Sequence, residues 1–254
     1  MPDHPILFSA PMVRALLAGT KTQTRRLLSE ARVFATPETE AFTLRGDDLT
    51  RALQNASGFR HLDGNGWFWE SDAFEWQAPA LRTGWMAHIG YAPGDRLWVR
   101  EAWRTQSFDD HWRPSELNAG NTLWRYEADG VRSHPDPVSR FGKLRPGIHM
   151  PRWASRLTLI VTDVRVQRLQ DISEEDARAE GVVPHPNGGF WVPGVEHPNP
   201  DFPYLARPTA REMYAALWDV INGSGAWIAN PWVRATTFEV HHRNILEMEA
   251  AANG

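Results

Sequence analysis

Proline recurs along this chain and limits the length of any helix or strand that it can form. A proline interrupts the hydrogen bonding of helices and sheets alike, and 19 prolines are spread over 254 residues. Thirteen tryptophans accompany them, which favours long loops held by aromatic side chains over long helices. With 42% hydrophobic residues, the chain can still bury a substantial core. We therefore expect short elements joined by long loops.

Two regions have so little periodic patterning that we predict them to be insertions. Residues 29–90 are rich in Gly, Asp, Asn and Ser, with helical periodicity only at residues 47–55, and residues 183–207 are rich in Pro and Gly. We predict one domain over residues 1–254 that carries these two loop-rich insertions. The first insertion contains four tryptophans, predicted to form a separate hydrophobic cluster unless one of them stacks on a base: Trp67, Trp69, Trp76 and Trp85.

Charge and cysteine content restrict the classes of partner. The net charge of −4 argues against a protein that coats nucleic acid through bulk electrostatics, and it favours a nucleoside-sized ligand over a long polymer. Absence of cysteine excludes disulfides and thiolate metal sites. The sequence has no run of 18 apolar residues and no signal-peptide pattern, so we expect a cytoplasmic protein with no membrane partner.

Lys21 is the most unusual basic residue, because the chain contains only two lysines among its 27 basic residues. An ammonium group can lose its proton when partly buried, whereas a guanidinium cannot, so Lys21 can be a base. Thr24 follows three residues later and supplies a hydroxyl that a neighbouring base can activate. Arg26 adds donors suited to a carbonyl, carboxylate or phosphate. These residues predict an acyl-transfer site; the alternative is a solvated basic loop.

The run GTKTQTRR at residues 19–26 resembles the signature of the ASCH domain, a branch of the PUA-like β-barrel superfamily, written G-x-K-x-x-E-x-R or G-x-K-x-x-T-x-R. Threonine at the sixth position is similar to the small bacterial amidohydrolases that remove the acetyl group from N(4)-acetylcytidine. Residues 6–28 also resemble uncharacterised phage and prophage proteins of this family. The resemblance implies an α+β fold: a PUA-like (ASCH) mixed β-barrel core with a few short helices, covering about half of this chain.

Glu180 is the third candidate for catalysis. Ser173 and Asp176 form a capping signature that predicts a short helix, and Gly181 ends it. An acid in the last helical turn opposes the helix dipole, so Glu180 requires a compensating partner. The resemblance to the amidohydrolases places the family's catalytic glutamate at Glu180.

Other residues are candidates for substrate binding. Glu101 ends the apolar part of a strand predicted over residues 96–103, a strand that resembles the family's G-D-x-L-x-V segment. A buried Glu101 would need a cation such as Arg26 or Lys21; otherwise it must face solvent. The residues predicted to bind substrate are Arg26, Thr22, Glu101 and Arg152.

The sequence and its resemblance together predict an amidohydrolase that acts on the acylated exocyclic amine of a cytosine nucleoside. Neutral Lys21 would take the proton of Thr24, Thr24 would attack the acyl carbonyl, and Glu180 would position the base or shuttle protons. In a variant route, Lys21 and Glu180 activate water while Thr24 only orients it. No metal or organic cofactor is implied.

Two other functions remain open from the sequence. One is a non-catalytic binding module for modified RNA or DNA, since PUA-like barrels widely bind nucleic acid. The other is an ASCH-type ribonuclease, in which the lysine and arginines would act on phosphate. The sequence does not fix the oligomeric state.

Overall fold

The computed structural model describes residues 3–28, 90–130, 140–196 and 205–252, together with the backbone of five strands between residues 30 and 88. In chain order, the strands are β1 (Asp3–Leu7), β2 (Gln23–Leu27), β3 (Glu30–Phe34), β4 (Phe42–Arg45), β5 (Ala56–Leu62), β6 (Gly66–Ser71), β7 (Trp85–His88), β8 (Arg96–Arg100), β9 (Trp103–Thr105), β10 (Trp124–Tyr126), β11 (Thr158–Arg168), β12 (Val183–Pro184), β13 (Phe190–Trp191), β14 (Ala206–Arg207) and β15 (Trp232–His241). The α-helices are α1 (Ala10–Leu17), α2 (Glu174–Ala179), α3 (Ala210–Asn222) and α4 (Ile245–Ala252).

A five-stranded mixed sheet forms the centre of the described structure. Its strand order is β1-β8-β11-β15-β2, in which β1 and β8 are parallel and the other neighbours are antiparallel. Within the described residues the sheet is open, because β1 and β2 each have one neighbour. The chain is thus a mixed α and β structure with several sheets and few helices, as predicted, but these strands do not close into the barrel that the resemblance implied.

Helix α1 packs on this sheet through the side chains that its periodicity places on one face. Val13 and Leu16 lie three residues apart and are buried against Leu97 and Leu159 of the sheet. Pro11 lies in the first turn, where its missing N–H costs no helical hydrogen bond. The helix begins at Ala10, directly after Ser9, and ends at Leu17.

The first predicted insertion contains regular structure. Strands β3 to β7 form a second five-stranded sheet in the order β4-β3-β7-β6-β5, with antiparallel pairing of all the registered neighbours. The prediction of a loop-rich segment is therefore wrong for these strands. Residues 47–55 and the side chains of the four tryptophans lie outside the described part of the molecule.

The second predicted insertion also contains strands, although they are very short. β12, β13 and β14 pair antiparallel as a three-stranded sheet, so the prediction of a loop-rich segment at residues 183–207 is wrong for these strands. Residues 197–204 lie outside the description.

Helices α2 and α3 both begin at hydrogen-bonded caps, and the cap of α2 is the predicted Ser173. The Ser173 hydroxyl accepts a hydrogen bond from the Asp176 N–H, and Thr209 forms a reciprocal capping box with Glu212. Between them, α2 and α3 bury a second apolar cluster that includes Met213. In the described part of the chain, no helix combines the length and apolar character that a bilayer crossing requires.

Candidate active site

The candidate site lies where the C-terminal ends of α1 and α2 meet. Gly19 (φ 70°) ends α1 and Gly181 (φ 102°) ends α2, both in the left-handed region that favours glycine. The chain then turns so that Lys21 and Glu180 form an isolated antiparallel bridge. At Gly181 an added Cβ would lie 3.3 Å from the Cβ of Ala15, so glycine also permits the close approach of the two helix ends.

Lys21 and Glu180 form a buried ion pair at this junction. Nζ of Lys21 donates to Oε2 of Glu180 at 2.7 Å and to the main-chain oxygen of Glu180 at 3.0 Å. Both side chains are almost completely buried. The main-chain contact places the lysine at the negative end of α2, where a cation is favoured. Lys21 is thus one of the partners that compensate Glu180 for its position at a helix C-terminus.

Arg25 is the second partner of Glu180. Its guanidinium contacts Oε1 of Glu180 at 3.3 Å and Oδ2 of Asp176 at 2.7 Å, and it also donates to the side chain of Gln23. Asp176 is in turn held by Arg165 at 2.9 Å. Arg25 is therefore fixed by α2 on one side and by its own strand on the other. Lys21 and Arg25, which alternation places on one side of the chain, both reach Glu180.

A cavity of about 590 Å³ opens against this cluster. Its lining includes Lys21, Thr24, Arg25, Arg26 and Glu180, and three segments complete the wall: the first two turns of α1, residues 192–195 and α3. Lys21, Thr24 and Glu180, the three residues predicted for catalysis, thus line one cavity. Thr24 is buried in β2, opposite Thr236 of β15.

Burial dominates the electrostatics of the site. Burial lowers the pKa of Lys21, against the opposing attraction of Glu180, and the charges of Arg26 and Arg25 lower it further. Burial also raises the pKa of Tyr214 well above its ordinary value of 10.0, and the charge of Glu180 adds to this shift. The lysine is therefore easier to deprotonate than an exposed one, and the tyrosine remains protonated.

Three of the predicted substrate-binding residues do not line this cavity. Thr22 has an exposed side chain, and its main chain is bonded to Ala179 and Phe238. Glu101 lies in the break between β8 and β9, buried and paired with Arg156 instead of Arg26 or Lys21. Arg152 is held in an ion cluster by Asp3 and Glu249. Arg26 is the remaining candidate, and it does line the cavity.

The predicted strand over residues 96–103 is divided in the structure, which explains the position of Glu101. β8 pairs with β1 and β11, whereas β9 begins at Trp103 and pairs with β10 in a separate sheet. The alternation of side chains between the two faces of one continuous strand therefore does not apply at Glu101. Its Oε1 accepts a hydrogen bond from Nε of Arg156 at 2.8 Å.

Tyr214 and Arg25 were missed by the sequence prediction. The hydroxyl of Tyr214 lies 3.5 Å from Oε1 of Glu180. In α3 the buried face includes Tyr214 and Trp218, whereas Val220 is exposed. The usable signal was the spacing of Tyr214 and Trp218 at i and i+4, next to Leu217, which places all three on one side of a helix.

Within the described residues, no three His, Asp or Glu side chains are grouped as metal ligands. Comparisons of the chain with protein-family models, with curated proteins and with solved structures give no match. The ASCH resemblance accordingly remains a prediction that rests on the motif at residues 19–26.

Proposed function

We propose that this protein is an amidohydrolase that removes an acyl group from the exocyclic amine of N(4)-acylated cytidine or a related nucleoside. The observation that carries the proposal is the placement of a buried lysine on the wall of a cavity that Thr24 also lines. Among the described residues, the ammonium group of this lysine is hydrogen bonded only to Glu180. This combination provides a base, a hydroxyl and a carboxylate in a space of the size that small ligands occupy.

The two hydrogen bonds of Lys21 support its role as the base. A lysine ammonium has three N–H donors, and loss of one proton leaves two N–H groups and a lone pair. Lys21 donates twice to Glu180, so its neutral form retains both hydrogen bonds and has its lone pair available for a proton. The lowered pKa increases the fraction of this neutral form.

In the proposed reaction, neutral Lys21 accepts a proton from the nucleophile as the nucleophile's oxygen forms a bond with the acyl carbon. The carbonyl π electrons move onto oxygen, and the Arg26 guanidinium stabilises this negative charge. As the C–N bond breaks, the protonated Lys21 returns the proton to the departing amine, with Glu180 hydrogen bonded to the lysine throughout. The products are the free amine and either an acyl ester of Thr24, which water then hydrolyses, or the carboxylic acid directly.

The proposal includes the fold family of the predicted resemblance, a PUA-like ASCH domain. Two observations support it. The motif at residues 19–26 places its lysine and threonine on the wall of a single cavity, and the central sheet is mixed in direction.

The primary test is incubation of the purified protein with N(4)-acetylcytidine, with chromatographic detection of cytidine. We expect stoichiometric release of cytidine and acetate over many turnovers. No turnover of this or any other N(4)-acyl cytidine, together with RNA binding that weakens steeply with salt, would instead favour a non-catalytic nucleic-acid module.

A second experiment identifies the nucleophile. The protein is mixed with substrate, quenched within one turnover and digested, and the peptide containing Thr24 is analysed by mass spectrometry. An acetyl group on Thr24 establishes the covalent route. Its absence, together with substantial activity of Thr24→Val, establishes attack by water that Lys21 and Glu180 activate.

A further inference from the structure

One wall of the cavity is aliphatic and continues to the protein surface. Leu27, Val220 and Ile221 all line the cavity, yet 47%, 45% and 55% of their respective surfaces are exposed. Aliphatic side chains that are exposed together at the mouth of a cavity add little to the stability of the folded chain, and such patches commonly mark binding surfaces. We refer to these three residues as the apolar rim.

The apolar rim is continuous with buried apolar side chains inside the cavity. Leu217 and Trp218 of α3 are buried and line it, as does Met12 of α1. Leu217 and Ile221 are four residues apart in α3, so they lie on the same face of the helix and about 6 Å apart along its axis. The apolar surface therefore extends from the interior of the cavity to solvent.

We propose that this surface binds the acyl group of the substrate, and that the preferred acyl group is longer and more apolar than acetyl. The inference rests on the proposed amidohydrolase function. A chain of four to six carbons is long enough to extend along Leu217 and Ile221 across this helical turn, and it buries more apolar surface there than the methyl group of an acetyl does.

The alternative placement, with the ribose against this wall, is unfavourable. Ribose hydroxyls would lose their hydration against Leu27, Val220 and Ile221 without gaining hydrogen bonds from these aliphatic side chains. Each methylene group of an acyl chain, in contrast, gains roughly a fourfold factor in binding when it is transferred from water to an apolar surface.

A substrate series tests the proposal. We expect kcat/KM to rise about fourfold per added methylene group from N(4)-acetylcytidine to N(4)-butyrylcytidine, and to rise further to N(4)-hexanoylcytidine. Ile221→Ser should lower the ratio of hexanoyl to acetyl kcat/KM roughly tenfold. Val220→Ser should act in the same direction, and both side chains are exposed, so the variants retain their fold.

Ile228 provides a matched control. It is an isoleucine with 80% of its surface exposed, and it is not part of the cavity lining. Ile228→Ser should leave the ratio of hexanoyl to acetyl turnover unchanged. A substrate series with no chain-length dependence, or an equal effect of Ile228→Ser and Ile221→Ser, would overturn the proposal.

A binding experiment separates this inference from the proposed function. N(4)-methyl-, N(4)-propyl- and N(4)-pentylcytidine lack the carbonyl group and cannot be hydrolysed, so calorimetric titration measures affinity alone. Affinity that increases with chain length and depends on Ile221, without turnover of any acyl substrate, supports the apolar wall and overturns the amidohydrolase. Turnover of N(4)-acetylcytidine with no chain-length dependence in either series supports the amidohydrolase and overturns the apolar wall as the site of the acyl group.

Discussion

Two buried ion pairs in this molecule have similar composition and different surroundings. Glu180 pairs with Lys21 on the wall of a cavity, and Glu101 pairs with Arg156 in packed protein outside it. Burial raises the pKa of Glu101, against the opposing effect of Arg156. From sequence, both glutamates were candidates for the same site. The comparison shows that a buried, paired carboxylate does not by itself define a functional site.

The cations account for the difference. Arg156 donates two hydrogen bonds to the carboxylate of Glu101, at 2.8 and 3.0 Å. It also forms an ion pair with Asp129 and lies over the ring of Tyr126. Burial alone would lower the pKa of Arg156, but the hydrogen bonds to Glu101 and the charge of Glu101 raise this pKa above its ordinary value. This pair cannot exchange a proton near neutral pH. Lys21 borders a cavity, and its lowered pKa makes it easier to deprotonate than an exposed lysine.

The largest expected effect comes from removal of the base while its charge is retained. Lys21→Arg should lower kcat/KM for N(4)-acetylcytidine by about 10²- to 10⁴-fold, because a guanidinium cannot accept the proton of the nucleophile. The reciprocal change at the other pair, Arg156→Lys, should leave kcat/KM unchanged. Unimpaired hydrolysis by Lys21→Arg would contradict the proposed role of this lysine.

The second largest effect is on stability, and it is expected at the Glu101–Arg156 pair, where a substitution should destabilise the fold without changing activity. Glu101→Gln leaves the Arg156 charge without its main partner in a largely buried place, which should cost about 3 kcal/mol of unfolding free energy. Urea denaturation measures this loss, and kcat/KM of the remaining folded protein should equal that of the wild type. Loss of activity without loss of stability would place Glu101 in the site after all.

A third prediction follows from the lowered pKa of Lys21. Between its folded pKa and the ordinary lysine value of 10.5, the unfolded chain binds more protons than the folded one, so stability rises with pH. The difference in unfolding free energy between the wild type and Lys21→Met, measured by urea denaturation over a pH series, should increase as the pH rises towards 10.5, by at most about 1.4 kcal/mol per pH unit. The corresponding difference for Arg156→Met should stay constant over the same pH range. A difference for Lys21→Met that falls with pH would contradict a lowered pKa of Lys21 in the folded protein.

The smallest effect is expected at the two tyrosines. The Tyr214 hydroxyl lies 3.5 Å from Glu180, a long contact, so Tyr214→Phe should raise the activation free energy by about 0.5–1.5 kcal/mol, measured as kcat/KM. Tyr126 donates to the main-chain oxygen of Ala154 near the other pair. Tyr126→Phe should therefore reduce stability by a similar amount with no change in kcat/KM.

Local sequence signals predicted the framework of the site. Ser173 caps α2 as expected, and Gly181 ends it, because both features depend on interactions within a few residues. The motif at residues 19–26 also places Lys21 and Thr24 close together in the sequence, and both line the same cavity.

Non-local pairing explains what the sequence did not reveal. Glu101 pairs with a residue 55 positions away, and nothing near Glu101 distinguishes Arg156 from other arginines of the chain. The strands of the first insertion were missed because their signal is short. The run Trp67-Phe68-Trp69 has high β propensity, and the preceding Asp63-Gly64-Asn65-Gly66 is typical of a turn, but neither has helical or long alternating periodicity.

The meeting of two helix ends has a consequence for how the protein is made. The lysine and its glutamate are separated by 159 positions in the chain, so a ribosome must complete most of the polypeptide before the two can come together. Contacts over such distances form slowly, because a long loop must be closed first. Until then the amine is solvated and fully protonated. A nascent or truncated product that stops before α2 therefore lacks the buried Lys21–Glu180 pair. If Lys21 is the base that we propose, the appearance of activity reports completion of folding.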